Sequence, residues 1–300
     1  MNLLITGAWK CNENQISMLE AAGYSCIFMQ DEKEKLPCDA RNVEGIICNG
    51  LFLHHNIEDF KSLKFIQLTS AGFDRVPMAY AQANGITVFN AKNVYSVPMA
   101  EYALSGVLCL YKKLNFFKKN QEKRLWEKNR DVLELFKKTV TVVGTGSVGT
   151  ECAKRFKAFG CTVLGIDIQE KEDESFNAIY GISRLSCAVA KSDIVVLALP
   201  LTESTFHIID KEILSLIKKG GILVNISRGA VVDEGALINA LDDNLGGAVL
   251  DVFEKEPLTE QSELWNKENV ILTPHNSFVG ENNQERLWEV IYKNLKSIGK

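Results

Sequence analysis

Three reactive residues each follow directly on a short apolar run in the second half of the chain. Arg228 follows "ILVNIS", Glu256 stands just past the run in "AVLDVFEKE", and His275 follows "VILTP". Such runs read as strands buried on both faces of a parallel sheet, and in an open parallel sheet ligands lie beyond the carboxyl ends of the strands. A guanidinium, a carboxylate and an imidazole at three such ends suffice to reduce a 2-keto acid with a nicotinamide. Arg228 can hold the substrate carboxylate with its planar fork and help polarise the keto oxygen. A protonated His275 can donate to that oxygen as hydride arrives, and take the proton back in the reverse direction. Glu256 beside it would favour the imidazolium and fix the ring. Singly, each residue could equally be structural or a surface charge. Together, on consecutive late strands, they point to chemistry.

A cofactor site precedes them. Residues 139 to 160, "TVTVVGTGSVGTECAKRFKAFG", read as strand, turn and helix, with Gly144, Gly146 and Gly149 forming G-x-G-x-x-G. The glycines serve a tight turn, close approach of backbone to a pyrophosphate, and tight packing of helix on strand. The helix N-terminus offers free N–H groups to the phosphates. The next strand, "CTVLGID", ends in Asp167, near the ~20-residue spacing expected of a ribose-binding carboxylate. Such a carboxylate can accept from both ribose hydroxyls and repels an extra 2′-phosphate. Its neighbours are Ile168 and Gln169, with no arginine following at once. NAD is expected over NADP.

The elements that must position these residues form two alternations. Short, largely apolar runs at 3–6, 26–29, 45–48, 65–68 and 87–89 predict a first sheet of about five strands. Between them, helices end at the C-caps Gly23 and Gly85. The stretch from Pro98 to Tyr111 is apolar on nearly all sides and fits a helix buried between two bodies. The lysines and arginine after it, from Lys112 to Arg124, read as a solvated helix end. A second alternation predicts strands at 140–143, 162–166, 194–199, 222–226, 247–251 and 270–273. Near the end, Leu287, Ile291, Leu295 and Ile298 form one stripe of an amphipathic helix. The 300 residues suit two α/β domains, each a doubly wound parallel sheet.

Composition narrows the field. A net charge of −4 argues against a nucleic-acid binder. No run reaches the ~18 apolar residues of a membrane span, and "MNLLITGAWKCNENQ" reads as a first strand, not a signal peptide. The eight cysteines are scattered, without a C-x-x-C pair, as in a reduced cytoplasmic protein. His54 and His55 are adjacent on an extended segment and point opposite ways, so no metal site is expected.

The stretches "VVGTGSVG", "LALPLTESTFHII", "LVNISRGAVVDEGAL", "AVLDVFEKEPL" and "LTPHNS" together resemble the D-isomer-specific 2-hydroxyacid dehydrogenase family. The resemblance spans most of residues 93 to 277, in the family's order. It implies Arg228, Glu256 and His275 as the catalytic set, with Glu256, not Glu254, as the glutamate in "FEKEP". It implies cofactor contacts at Ser147, Val148, Asp167, Leu199, Ile226, Ser227, Arg228 and Asp251, the last holding the nicotinamide amide. It also implies a Rossmann NAD domain, 98–278, inserted into a flavodoxin-like substrate domain, 1–97 with 279–300, and an active site in the cleft between them. On that pattern "LTSAGFD" (68–74) is the substrate-carboxylate loop, with backbone N–H groups at Ala71 and Gly72. Tyr95, at the first crossover, faces substrate or packs a hinge. A homodimer through the 99–120 region is implied as well.

Two departures bear on the substrate. "PHNSFVG" replaces the family's frequent P-H-I-G-[SA], and Leu68 stands where phosphoglycerate dehydrogenases often carry an arginine. The expected reaction is therefore NAD-linked hydride transfer on a small D-2-hydroxy acid or its 2-keto partner, resembling glyoxylate, hydroxypyruvate or D-lactate. The alternatives are phosphoglycerate dehydrogenase activity and an NAD-sensing binding protein with little turnover.

Overall fold

The structure, a computed structural model, describes residues 1–298; the last two residues of the expected 279–300 segment lie outside the described residues. In chain order the strands are β1 (Asn2–Thr6), β2 (Ser25–Met29), β3 (Gly45–Cys48), β4 (Phe65–Leu68), β5 (Thr87–Phe89) and β6 (Thr139–Val143). They continue with β7 (Thr162–Asp167), β8 (Ala178–Gly181), β9 (Ile194–Leu197), β10 (Ile222–Asn225), β11 (Gly247–Leu250) and β12 (Val270–Leu272). The helices are α1 (Glu13–Ala21), α2 (Met78–Ala83), α3 (Ser96–Tyr111), α4 (Leu114–Glu122) and α5 (Ser147–Ala158). Then come α6 (Leu185–Val189), α7 (Lys211–Leu216), α8 (Glu234–Asp243) and α9 (Asn283–Ile298).

The chain divides into two compact units, Met1–Tyr95 with Gly280–Lys300, and Ser96–Val279. The first holds a parallel sheet in the order β2-β1-β3-β4-β5. Leu4 of β1 pairs with Ile27 on one side and Ile46 on the other. Strands β3 and β4 are buried along their whole length, as continuous apolar runs predict. Helix α1 starts with a capping box, Asn12 with Gln15, which satisfies two otherwise orphaned amides. Helix α9 buries Leu287, Ile291 and Leu295. Trp288 of α9 stacks on Trp9 at 5.6 Å, and the Tyr24 hydroxyl donates to the Leu295 carbonyl at 2.8 Å.

The second unit holds a parallel sheet in the order β12-β11-β10-β9-β6-β7-β8. Strand order reverses between β6 and β9, the kind of switch point where open α/β sheets bind ligands. Helix α3 lies against β11 closely enough that a Cβ on Gly106 would sit 2.5 Å from Val249 Cγ1. Small residues are thus required on that face, and Ala100 and Ala103 are fully buried beside it.

Two expectations need correction. The basic stretch after α3 is not the end of that helix. The chain breaks at Lys113, with φ 54°, and restarts as α4. Strand β8 was not expected; it is an edge strand in which only Ile179 is buried, too little to show as an apolar run. Elsewhere β9, β10, β11 and β12 end one or two residues before their expected limits, so Leu199, Ile226, Asp251 and Thr273 fall in the loops that follow.

Candidate active site

The glycine turn joins β6 to α5. Gly144 has φ 93°, a conformation side chains disfavour, and its N–H donates to the Ile166 carbonyl of β7 at 2.8 Å. A Cβ on Gly149 would lie 1.9 Å from the Gly144 oxygen, so helix and turn can touch only through glycine. Gly146, by contrast, faces open space. The amides of Ser147, Val148 and Gly149 have no acceptor among the described residues, as first-turn amides do when no cap takes them. Open space beside three free amides at a twelve-residue helix fits a pyrophosphate. The end of β9 closes one side, where a Gly144 Cβ would meet Ala198 O at 2.5 Å and Leu199 N at 2.8 Å. Leu199 is itself buried, so it meets this space through its backbone.

Asp167 ends β7 beside the turn. Its Oδ2 accepts from Thr145 N and Thr145 Oγ1, both at 2.7 Å, and its Oδ1 accepts from Ile168 N at 2.7 Å. Burial alone would raise this carboxyl, but the bonds from Thr145 and Ile168, with the Lys171 charge, outweigh it and hold it below the ordinary aspartate value. A carboxylate offers about four acceptor positions. With three filled, one acceptor position stays open on Oδ1.

The catalytic candidates sit on three successive loops. After β10, the Asn225 side chain organises the turn: its Oδ1 accepts from Ser227 N at 3.1 Å and Ser227 Oγ at 2.9 Å, and its Nδ2 donates to Arg228 O at 3.0 Å. Ile226 and Ser227 are buried while Arg228 is half-buried, with one guanidinium nitrogen on Ser227 O at 2.9 Å. A Cβ on the next residue, Gly229, would overlap Phe253 C and O at 1.8 and 1.9 Å. The Arg228 loop therefore lies backbone to backbone on the loop that carries Glu256. Glu256 Oε2 stands 2.9 Å from His275 Nδ1, and the two side chains are 37% and 42% exposed. That contact assigns the Nδ1 proton to Glu256 and leaves Nε2 for a ligand.

His275 has φ 50°, a left-handed backbone that needs support from its surroundings. Its N–H donates to Asp251 O at 2.8 Å and Thr273 O at 3.0 Å. Asp251, fully buried, accepts from Thr273 Oγ1 at 2.6 Å and Asn276 N at 2.7 Å on Oδ1, and from Ser277 N at 2.9 Å on Oδ2. Thr273 Oγ1 also lies 2.6 Å from Tyr102 OH. Asp251 thus grips the histidine loop from within and keeps acceptor capacity on Oδ2.

In the first unit, the loop after β4 has its carbonyls tied down. Tyr95 OH donates to Thr69 O, Ala91 N to Ser70 O at 2.9 Å, Asn90 Nδ2 to Ala71 O at 2.6 Å, and Ser70 Oγ to Gly72 O at 3.1 Å. The amides of Ala71 and Gly72 have no acceptor among the described residues. Backbone with its oxygens fixed and its N–H groups free is built for an anion. His54 is exposed, while His55 Nε2 donates to Glu32 O at 3.0 Å.

Sequence reasoning missed several supports. Asn90 and Thr145 act through bonds to backbone or carboxylate on other elements, which no spacing reveals. His207 Nε2 lies 2.8 Å from Glu254 Oε1, at ion-pair distance but off the hydrogen-bonding axis. Glu254 also accepts from Glu234 N at 3.0 Å, so the glutamate set aside in "FEKEP" ties loops together.

Comparison with known proteins gives a consistent picture. The model described as "D-isomer specific 2-hydroxyacid dehydrogenase, NAD binding domain" matches residues 104–277. A glyoxylate/hydroxypyruvate reductase of Arabidopsis thaliana is 31% identical over 79% of this chain and 73% of its own. A D-3-phosphoglycerate dehydrogenase of Methanocaldococcus jannaschii is 30% identical over 96% of this chain and 56% of its own. The solved D-lactate dehydrogenase of Aquifex aeolicus, complexed with NAD and lactic acid, superposes with TM-score 0.80 at 28% identity, over 99% of this chain and 95% of that one.

Proposed function

This chain belongs to the D-isomer specific 2-hydroxyacid dehydrogenase family of NAD-linked oxidoreductases, and from that premise we propose that it reduces a small 2-keto acid of the glyoxylate, hydroxypyruvate or pyruvate kind. The carrying observation is the Glu256–His275 pair at 2.9 Å. Bound NADH supplies the hydride. In the second unit Arg228 binds the substrate carboxylate; in the first, the loop that Tyr95 braces offers the free amides of Ala71 and Gly72 to an anion. Arg228 also polarises the keto oxygen, and His275 Nε2 delivers its proton there as charge develops. Glu256 accepts from Nδ1–H throughout, which favours the imidazolium before the transfer and fixes the neutral ring after it. In the oxidative direction Nε2 takes the alcohol proton.

On this reading residues 98–278 are the NAD domain, and 1–97 with 279–300 the substrate domain. Gly144, Gly146, Ser147, Val148 and Gly149 take the pyrophosphate. Asp167 takes the ribose and favours NADH over NADPH. Leu199, Ile226 and Ser227 line the cofactor through their backbone, and Asp251 Oδ2 accepts from the nicotinamide amide. Leu68, in place of an arginine, speaks against a phosphorylated substrate, and the complete Arg–Glu–His set against a sensor without turnover. A homodimer through the 99–120 region is supported by Leu114 and Phe117, 51% and 37% exposed there. A cytoplasmic location is supported by eight free cysteines.

The test is His275→Ala. Turnover should fall on the order of 10²–10⁴-fold while NADH binding persists. Retained turnover removes His275 from the role of acid.

A further inference from the structure

Resting on the reading that the glycine turn holds a dinucleotide, we propose that Lys171 is a cofactor-specificity residue, an ammonium fixed beside Asp167 so that the ribose site admits a 2′-phosphate as well as a free 2′-hydroxyl.

Thr145 carries the argument. Its N–H and hydroxyl both donate to Asp167 Oδ2 at 2.7 Å, and its carbonyl accepts from Lys171 Nζ at 3.0 Å. One residue, 1% exposed, therefore ties the carboxylate and the ammonium to the same turn. An exposed lysine ordinarily disperses its charge over many rotamers; this one is anchored to the residue that also binds Asp167. An ammonium has three donors, and Thr145 takes one. Lys171 makes no ion pair among the described residues, so two donors remain for an incoming anion.

Three of its charged neighbours are hydrogen-bonded to other groups, although the Asp173 carboxylate still feels the Lys171 charge. Glu170 Oε1 accepts from Gly181 N at 3.0 Å, Asp173 from Ser175 N at 2.9 Å, and Lys154 donates to Glu151 at 2.8 Å. Lys154 is paired with Glu151, whereas Lys171 has no carboxylate at ion-pair distance among the described residues. A lone Asp167 would present one negative charge to a 2′-phosphate; with Lys171 the two sum to zero. Three of the carboxylate's acceptor positions are filled already, so exchanging the hydroxyl for a phosphate forfeits one hydrogen bond. NADH remains the better ligand, by a modest margin.

The experiment is titration of NADH and NADPH, read by energy transfer from tryptophan, on wild type, Lys171→Ala, Lys171→Arg, Asp167→Asn and Lys171→Ala/Asp167→Asn. In Lys171→Ala the NADPH:NADH affinity ratio should fall about tenfold, the scale of one partly solvated charge pair, and Lys171→Arg should restore most of it. Asp167→Asn should raise the ratio more when Lys171 is present than in the double variant. An unchanged ratio in Lys171→Ala overturns the proposal, as does an equal loss of both cofactors, which would mark Lys171 as a prop for the turn. Binding of neither cofactor to wild type would remove the dinucleotide reading itself, an outcome distinct from either.

Discussion

Replacing Asp251 by Asn probes how the loop carrying His275 is held. The carboxylate is fully buried and accepts three donors, Thr273 Oγ1 at 2.6 Å, Asn276 N at 2.7 Å and Ser277 N at 2.9 Å. Asparagine keeps the size but turns one acceptor oxygen into an NH₂. With that NH₂ at the Oδ1 position, Asn276 N loses its acceptor and the Thr273 hydroxyl must turn from donor to acceptor. At the Oδ2 position only the Ser277 amide loses its acceptor, so that rotamer is the cheaper. It forfeits one charge-assisted bond, about 1.5–3 kcal/mol, and leaves a buried amide unpaired, about 1–3 kcal/mol. Removing a buried charge returns part of this. The net expectation is a loss of about 2–4 kcal/mol, together with a loss of turnover, because the same bonds hold His275 at φ 50°. Thr273→Val removes one of two donors from Oδ1 and should cost about 1 kcal/mol. Urea unfolding gives the stabilities and NADH oxidation the rates. An Asp251→Asn protein within about 0.5 kcal/mol of wild type, with full activity, would refute the claim that this carboxylate organises the site.

Asn90→Ala frees the Ala71 carbonyl and lets the anion loop relax; KM for the keto acid should rise about tenfold with a much smaller change in kcat, and the reverse pattern in steady-state kinetics would contradict it. Asp193 accepts from Thr139 N at 2.8 Å and Lys218 Nζ at 3.1 Å. Burial would raise its carboxyl, but these bonds and the lysine charges hold it below the ordinary value. A depressed carboxylate stabilises fully above its unfolded pKa of about 3.9 and loses that contribution as pH falls through the folded value. Asp193→Asn should therefore destabilise at neutral pH, with the gap to wild type closing below about pH 4; a constant gap in denaturation across that range would count against it. Changing Leu114 and Phe117 together to Asp should yield monomers in sedimentation if the 99–120 region is the dimer contact.

Much of the frame was legible because parallel strands buried on both faces write continuous apolar runs. "GIIC" and "FIQL" became β3 and β4 at their expected limits. The candidate reactive residues were singled out on the same signal, since Arg228 and His275 stand directly after such runs. What stayed hidden acts across the sequence. Asp251 could be seen as a carboxylate at a strand end, but its donors at 273, 276 and 277 belong to the next loop. The Asn90–Ala71 and Thr145–Lys171 bonds join residues far apart in sequence, and β8 buries too little to print a pattern. The left-handed turn at Lys113 carries no glycine to announce it.

The most direct measurement is NADH oxidation by the wild-type protein against glyoxylate, hydroxypyruvate, pyruvate, longer branched 2-keto acids and phosphohydroxypyruvate, followed by absorbance. Rapid turnover of at least one small unphosphorylated acid is expected, with a D-2-hydroxy acid as product. Firm NADH binding with no turnover of any acid would contradict the account and turn the search toward a protein partner that reads the bound cofactor.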